Sequence, residues 1–219
     1  MKLVIKFPTR NRPEKFLYAI TKYINLLDDK TTPIIVTCDN DDETMKESYV
    51  IDYINQSTNI RMCYGDSKTK IEAVNANLDD VEFDIVLLAS DDMIPIVKGF
   101  DTIIRNKMQE HYPDTDGVLW FNDGYQGNKL NTLCILGKKY YDRFGYIYNP
   151  EYKSVYCDNE FMDVANILGK QTYFNDVIIQ HKHPDWGWGA RDEIHTLNSR
   201  NVGTDMNTYA KNKKRNFGL

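Results

Sequence analysis

The sequence predicts a single α/β domain built on a doubly wound, mostly parallel sheet, and three observations support that prediction. Short apolar runs alternate with segments of helical periodicity through residues 1–100. Polar, acid-rich loops follow three of these runs, where the carboxyl ends of parallel strands would share one edge. The length of 219 residues is ample for a buried core. Strands that alternate with helices in this way are typical of parallel sheets.

The first half of the chain alternates regularly between strand and helix. A first strand is predicted over residues 3–7, and Pro8 ends it because proline cannot donate to a sheet. Pro13 suits a first helical turn, and the apolar residues that follow keep helical spacing. Further strands are predicted over residues 34–38 and 60–64, and an acid-rich string and a helix follow the first of these.

The stretch DIVLLASDDMIPI, Asp84 to Ile96, predicts the fourth strand. Its apolar part is typical of a strand buried on both faces, and its end would deliver Asp91 and Asp92 to the rim of the sheet. Ser67 is predicted to cap the preceding helix, which extends to about Leu78. The next helix is predicted to begin near Val97.

The second half is less regular. Two strands are predicted over residues 117–121 and 132–136, a short helix over 138–144, an amphipathic helix over 158–168 closed by Gly169, and a late strand over 173–180. The sequence KNKKRNFGL at residues 211–219 is the one basic cluster, and we interpret it as a solvated tail.

The composition excludes several classes of protein. A formal net charge of −5 argues against wholesale binding to nucleic acid or an anionic membrane, although a local basic pocket for phosphate remains compatible with it. The 4 cysteines form no CxxC pair, which is typical of a reducing compartment. No apolar segment is long enough to span a membrane, and the amino terminus lacks a signal-peptide pattern. We therefore predict a cytoplasmic protein.

Six motifs occur in a familiar order: PTRNR, CDNDD, AVNANL on a lysine-containing helix, LLASDDMIP, CDNEF and HKHP. This order resembles family 2-type glycosyltransferases of the GT-A fold, from residue 3 to about residue 190. The resemblance implies a Rossmann-like, doubly wound sheet with a smaller mixed sheet on the acceptor side. It also implies one domain, residues 1–219, in which residues 1–100 bind a nucleotide sugar and residues 101–219 shape the acceptor side.

The resemblance implies a nucleotide-sugar-binding site with Pro8, Thr9 and Arg10 after the first strand, Asp39 after the second, Lys68 on the lysine-containing helix and Asp91 after the fourth strand. Trp120, in the strand over residues 117–121, could stack on the sugar or simply pack. Asp39 can accept hydrogen bonds from a base imide or a ribose hydroxyl, and Arg10 can stack or contact phosphate. Alternatively, the acids at residues 39–42 cap a helix and complement its dipole. Lys68, like Lys70, is alternatively an exposed helix lysine.

The resemblance also implies a site for Mn²⁺ or Mg²⁺, in which Asp92 contacts the metal and Asp91 the ribose or sugar. The sequence Ser-Asp-Asp departs from the usual Asp-x-Asp, and the bland alternative is a capped turn before the next helix. His181 or His183 would complete the metal site, since a spacing of two places both on one face of a strand. Alternatively these histidines are structural.

An inverting transferase needs a carboxylate that takes the proton of the acceptor hydroxyl. The resemblance implies Asp158 or Glu160 in CDNEF for this role, although both also suit the first turn of a helix. Trp186 and Trp188, in a glycine-rich loop, could stack on a sugar or simply pack a long loop.

The predicted activity is transfer of a sugar from a nucleotide-diphosphate sugar of the UDP or GDP type to a glycan or another hydroxyl acceptor, with inversion. A sugar nucleotidyltransferase is an alternative, but PTRNRP lacks the glycines of a phosphate-binding loop. The alternative from another class is a non-catalytic module that binds a nucleotide or a glycan.

Overall fold

A computed structural model of the protein describes residues 1–182, 187 and 193–219. A seven-stranded sheet in the order β3-β2-β1-β4-β7-β6-β8 forms its centre. The strands of this sheet are β1 (Leu3–Pro8), β2 (Ile34–Asp39), β3 (Ile60–Gly65), β4 (Ile85–Leu88), β6 (Val118–Phe121), β7 (Ile135–Gly137) and β8 (Gln171–Phe174). A second sheet pairs β5 (Met93–Pro95) with β9 (Ile179–His181).

Eight α-helices are present in the described part of the chain. They are α1 (Pro13–Leu26), α2 (Ser48–Asn55), α3 (Lys70–Asn75), α4 (Phe100–His111), α5 (Lys138–Asp142), α6 (Cys157–Ile167), α7 (Glu193–Ser199) and α8 (Val202–Lys214). A short 3₁₀ helix, Glu43–Lys46, precedes α2. No helix among these residues is both long and apolar enough to cross a bilayer.

The central sheet is mostly parallel, as predicted. Strand β1 pairs in parallel with both β2 and β4, so the strand order reverses direction at β1. Strand β7 is antiparallel to both of its neighbours, β4 and β6. Ligands bind beyond the carboxyl ends of the strands at such a reversal, because the loops diverge there and leave a crevice.

Apolar side chains on the two faces of the sheet form two buried layers. In β1, Leu3, Ile5 and Phe7 pack against α1, α2 and α4. Val4 points to the other face and packs with residues of α3, α5 and α6. The alternation follows from the period of two along a strand. Strands covered by helices on both faces are the arrangement that the apolar runs of the sequence predict.

The α/β class is confirmed, and several boundaries require correction. Thr69, not Ser67, caps α3, because the Thr69 hydroxyl accepts a hydrogen bond from the Glu72 amide at 3.1 Å. Helix α4 begins at Phe100 rather than near Val97, after Gly99 in a left-handed conformation. The predicted late strand over residues 173–180 is two strands, β8 and β9, which belong to different sheets. The smaller sheet consists of two antiparallel strands.

The basic carboxyl-terminal segment is not a solvated tail throughout. Its first residues form the last turns of α8, and Asn212 is buried there. Lys211 pairs with Glu151 at 3.5 Å and Lys213 pairs with Asp163 at 3.0 Å, so neighbouring acids neutralise part of its charge. The prediction missed this because the segment lacks an apolar stripe; polar contacts hold α8 to the body of the protein.

Candidate active site

A cavity of about 1200 Å³ opens beyond the carboxyl ends of β1, β2 and β4. The polar loops that follow these strands line it, as do the amino-terminal ends of α3 and α6. Nine predicted site residues line the cavity: Pro8, Thr9, Arg10, Asp39, Lys68, Asp91, Asp92, Asp158 and His181. Residues from distant parts of the chain therefore converge as the motif order predicts.

Arg10 and two acids form an ionic cluster at the β2 end of the cavity. The Arg10 guanidinium donates to the Asp39 carboxylate and makes two hydrogen bonds of 2.8 Å to Asp41. These hydrogen bonds raise the pKa of Arg10. The other oxygen of Asp39, Oδ1, is buried and accepts no hydrogen bond from a described residue. A buried acceptor without a donor is costly unless a ligand supplies one.

Asp42, by contrast, has the structural role that the alternative interpretation assigned to this acidic string. One of its oxygens accepts from the amides of Thr44 and Met45, at 3.1 and 3.3 Å, and thereby caps the 3₁₀ helix. The other accepts from the Asn11 amide at 2.7 Å and holds the loop after β1. The acids at residues 39–42 thus divide between capping and the cavity wall.

Asp91 lies deep in the cavity against the loop after β1. The Arg12 guanidinium donates to its carboxylate at 2.9 Å, and the Thr9 hydroxyl lies 3.5 Å from the other oxygen. Burial raises the pKa of Asp91 to about 6, while Arg12 opposes that rise and the neighbouring charge of Asp92 adds to it. Arg12 is part of the PTRNR motif, but the sequence interpretation gave it no role.

Asp92 faces His181 across the two-stranded sheet. Register places Met93 opposite His181, and the Lys182 amide donates to the Asp92 carbonyl at 2.7 Å. The Asp92 carboxylate accepts from the Ser90 hydroxyl, and its Oδ2 lies 3.6 Å from His181 Nε2. Burial alone would raise the pKa of Asp92, but His181 and Ser90 outweigh burial and lower it. Asp92 is therefore ionised at neutral pH.

His181 lies between two carboxylates. Its Nδ1 is 3.8 Å from Asp123 Oδ2, on the side opposite Asp92. Asp123 is buried and is held by the Thr132 hydroxyl at 2.7 Å and by the Tyr125 and Gln126 amides at 2.8 and 2.6 Å. Burial lowers the pKa of His181, but Asp123 and Asp92 outweigh it and raise that pKa to about 9.

Asp92 and His181 can supply part of the ligand set of a divalent cation. Among the residues that the structure describes, no cluster of three or more His, Cys, Asp or Glu side chains could hold a metal alone. One carboxylate and one imidazole can supply two ligands, and Mg²⁺ in phosphate-transfer sites commonly takes its remaining ligands from substrate phosphates and water. Metal-ligating histidines usually bond a carboxylate through the other ring nitrogen, and Asp123 occupies that place.

The capped-turn alternative for Asp91 and Asp92 is right about the turn, in which the Met93 amide donates to the Ser90 carbonyl at 3.2 Å, but wrong about the cap and the helix. Neither carboxylate accepts a hydrogen bond from a backbone amide of the described chain, and α4 begins only at Phe100. A strand, β5, follows Asp92 directly. The two acids instead contact different side chains: Asp91 contacts Arg12 and Asp92 contacts Ser90 and His181.

Asp158 is in the first turn of α6 and is half-buried in the cavity wall. Burial raises the pKa of its carboxyl, and the charge of Lys70 opposes that rise. Lys70 also lines the cavity and forms no ion pair with the described residues. A carboxylate with a raised pKa is a better proton acceptor than an exposed one, which is the property a general base needs.

Two predicted site residues lie away from the cavity. Glu160 is buried behind α6, where it accepts hydrogen bonds from Asn149 and Tyr152 at 2.6 Å and from Asn212 at 3.1 Å. Trp120 is buried in β6 and packs edge-on against Tyr173. The helical period explains the first case, since residues two apart on a helix point to different sides. His183, Trp186 and Trp188 lie outside the described residues.

No protein-family model matches the chain, and no curated protein matches it in sequence. Solved structures do match. TarS from S. aureus, residues 1–349, is 16% identical with a TM-score of 0.65, over 82% of this chain and 60% of TarS 1–349. The same fragment in complex with UDP-GlcNAc is also 16% identical, with a TM-score of 0.64, over 82% of this chain and 58% of that one.

A further match is the mannosyltransferase PcManGT from Pyrobaculum calidifontis, in complex with GDP-Man and Mn²⁺. It is 12% identical with a TM-score of 0.65, over 85% of this chain and 58% of the mannosyltransferase. The chain therefore spans about 60% of the TarS fragment and of the mannosyltransferase, and 36% of a longer TarS chain. At such identities the likeness establishes the fold: the protein has the α/β GT-A fold of these glycosyltransferases.

Proposed function

We propose that the protein is a glycosyltransferase that moves a sugar from a nucleotide-diphosphate sugar to a hydroxyl acceptor, with metal assistance and inversion. The observation that carries this proposal is the convergence of Asp39, Asp92, His181 and Asp158 on one large cavity of a GT-A fold. Base recognition, diphosphate binding and proton removal each have a residue of suitable chemistry there.

In the proposed complex the nucleotide lies over the ends of β1 and β2. The buried Oδ1 of Asp39 would accept a ring N–H from the base, which uracil, thymine and guanine each offer, and we propose a UDP or GDP donor among these. Lys68 and Lys70 lie at the start of α3 without ion-pair partners in the described chain, and their ammonium groups suit phosphate. Residues 1–100 would thus supply most of the donor site.

Mn²⁺ or Mg²⁺ would be held by Asp92 and His181, with Asp123 orienting the imidazole. When bound, such a cation neutralises charge that builds on the departing diphosphate. His181 must give up its proton to bind a cation, so metal binding and proton release are linked.

Asp158 is the proposed base. Its carboxylate would take the proton of the acceptor hydroxyl while that oxygen forms a bond to the anomeric carbon. The bond from that carbon to the diphosphate breaks in the same step, and the leaving group takes the electron pair. A single displacement of this kind inverts the anomeric configuration. The acceptor would enter past residues 101–219, where Gln126, Thr132 and Lys153 line the cavity.

The alternative of a non-catalytic nucleotide- or glycan-binding module predicts binding without turnover. The place of the Asp158 carboxylate in the wall of the same cavity favours an enzyme, because a module that only binds a nucleotide needs no proton acceptor there.

The first experiment is a thermal-shift panel of UDP-, GDP-, dTDP- and CMP-sugars, each with Mn²⁺, with Mg²⁺ and with EDTA. A ligand that binds only the native state raises the melting temperature, and about 100 times its Kd stabilises by about 2.7 kcal/mol. We expect a metal-dependent shift for one nucleotide in the wild type and none in Asp92→Ala. A flat panel from folded protein would overturn the donor-site proposal.

Turnover is tested with the donor that the panel identifies. Asp158→Asn should keep the thermal shift and lose transfer by roughly 10²-fold or more. Asp163→Asn, on the same helix but outside the cavity, is the matched control and should transfer normally. Nuclear magnetic resonance of the product then reports its anomeric configuration, and a retained configuration would contradict the single displacement.

A further inference from the structure

One face of α8 is polar and packed against the body of the protein. Asp205, Tyr209 and Asn212 lie at intervals of four and three residues, so they share a face of the helix. Asp205 and Asn212 are the buried residues of α8. Burial of a polar side chain is unfavourable unless the side chain is hydrogen-bonded. The hydrogen bonds of these three residues therefore show which segments of the protein α8 contacts.

The Asp205 side chain binds three consecutive backbone amides. It has no exposed surface, and its carboxylate accepts hydrogen bonds from the amides of Lys153, Ser154 and Val155 at 3.1, 2.9 and 2.9 Å. Hydrogen bonds to an ionised acceptor are roughly twice as strong as neutral ones. One side chain therefore sets the path of the segment 153–155, which we call the clamp loop.

The clamp loop is part of the cavity wall. All three of its residues line the cavity, and the Lys153 carbonyl accepts from the Ile71 amide of α3 at 3.4 Å. Immediately after the loop, Tyr156 adopts a left-handed conformation with φ of 60° and α6 begins. Asp158 follows two residues later in the first turn of α6. The loop thus connects the clamp of Asp205 to the start of the helix that carries Asp158.

We propose that Asp205 is a positioning residue for the reaction: by holding the clamp loop it fixes where α6 starts and where the Asp158 carboxylate points. The proposal rests on the proposed function of Asp158 as the base. A general base must lie within hydrogen-bond reach of its proton, and a displacement of about 1 Å can reduce the rate by roughly 10²-fold. Arg10 and Asp39, at the ends of β1 and β2, bond to each other rather than to the clamp loop, and the loop meets α3 at Ile71, so we expect donor binding to change little.

Two other hydrogen bonds from the packed face of α8 allow a matched control. The Tyr209 hydroxyl donates to Asp163 at 2.6 Å, beyond the first turn of α6, and Asn212 donates to Glu160. Tyr209→Phe removes one hydrogen bond between α8 and the body of the protein and leaves the clamp loop untouched. It reports what general loosening of α8 does to turnover.

The test compares Asp205→Asn with Tyr209→Phe in the full chain. We measure kcat, the Kd for the donor, and hydrogen exchange of the amides at residues 153–155. Asp205→Asn keeps the size of the side chain but loses the charge and one acceptor oxygen. We expect faster exchange at these amides, kcat lowered roughly 10- to 10²-fold and a donor Kd within about twofold of wild type. Tyr209→Phe should keep wild-type kcat.

Three results would overturn the proposal: an unchanged kcat in Asp205→Asn despite faster exchange, a donor Kd that weakens in step with kcat, or an equal loss of kcat in Tyr209→Phe. If Asp205→Asn does not fold, Asp205→Ser replaces it, since a hydroxyl can accept one of the three bonds and leaves room for a water molecule. Failure of the proposed function is distinct: wild-type protein would then lack donor binding and turnover, whereas the exchange difference would persist.

Discussion

Lys6 lies inside the core of the protein, although lysine is seldom buried. It has no exposed surface, and its ammonium donates to the Thr37 hydroxyl, which in turn donates to Asn77 at 2.8 Å. Burial lowers the pKa of Lys6 to about 7, while the nearby thiols of Cys63 and Cys38 oppose the fall. The residue lies outside the cavity lining, so its effect falls on stability rather than on the proposed chemistry.

Lys6→Met should stabilise the protein most below pH 7. There both folded and unfolded states hold the proton, and the native state carries a buried charge. Between about pH 7 and the unfolded value of 10.5 the unfolded state binds more protons, so wild-type stability rises with pH. The gain, on the order of a few kcal/mol at neutral pH, should therefore shrink towards pH 10. Urea unfolding across this range measures it.

Lys22→Met, at an exposed site on α1, is the control for loss of one lysine charge at the surface, and it should change stability by less than about 1 kcal/mol. A Lys6→Met variant less stable than wild type at pH 7 would show that the hydrogen bond to Thr37 outweighs the burial of charge.

Lys70→Met should move the acid limb of the kcat profile. Burial raises the pKa of Asp158, and the positive charge of Lys70 opposes that rise. Removal of the Lys70 charge should therefore raise the pKa of Asp158 further. The proposed base, Asp158, would then lose activity at a higher pH, by roughly one pH unit or less. Profiles of kcat at saturating donor separate this effect from weaker donor binding. Lys68→Met, on the donor side of the cavity, should shift the acid limb less than Lys70→Met does. Equal shifts in the two variants would mean that the pKa of Asp158 does not depend on Lys70 in particular.

At the residue scale, the motif order predicted the cavity lining well because strand ends share one edge of the sheet. Glu160 was predicted from its motif and Trp120 from its aromatic ring in a strand, and neither observation says to which side of a helix or strand a side chain points. Arg12 and Asp123 have contacts with Asp91 and His181 that no spacing in the sequence reveals. Such pairs arise from register between distant strands.

At the element scale, the pairing of β5 with β9 is the arrangement that the sequence could least predict. Each strand has only three residues, and the apolar runs that contain them continue into other structure. Strands β1 to β4 were predictable because each is an apolar run bounded by polar turns. Helix α8 was missed because periodicity detects apolar stripes, whereas its packed face consists of Asp205, Tyr209 and Asn212.

Gly137→Ala tests the junction between β7 and α5. A Cβ at this position would lie 2.1 Å from the Thr115 carbonyl oxygen, which is backbone and cannot rotate away. The Gly137 amide also bonds the Gly117 carbonyl at 2.9 Å, which fixes the close approach. We expect a loss of roughly 2 kcal/mol or more in unfolding free energy, from overpacking.

Gly65→Ala serves as the comparison in the same urea titrations, because a Cβ there meets no atom within 4 Å. It should change stability by less than about 1 kcal/mol. A loss of stability in Gly137→Ala as small as that in Gly65→Ala would mean that the β7–α5 junction adjusts easily to the added methyl group.

At the scale of the whole molecule, the cysteines report how the two apolar layers are packed. All 4 thiols are free; Cys38, Cys134 and Cys157 are buried, and Cys63 is partly exposed. Burial raises the pKa of each of the three buried thiols, so little of the reactive thiolate is present at neutral pH.

Ellman's reagent should therefore modify at most about one thiol quickly in the native protein and all 4 in urea. Cys63→Ser should abolish the fast native phase. Rapid native reaction of a second thiol in that variant would show that one of the layers opens far more readily than its burial implies, and the rate would measure that opening.

The two-stranded sheet also has a consequence for biosynthesis. Asp92 emerges from the ribosome well before His181, and the strand that brings them together cannot form until both are outside. A nascent chain released before residue 179 would carry Asp39, Asp91 and Asp92 but neither β9 nor the imidazole. The Asp92 carboxylate is thus translated long before the imidazole beside it, and an interrupted product would keep Arg10 with Asp39 and Arg12 with Asp91 but leave Asp92 without His181.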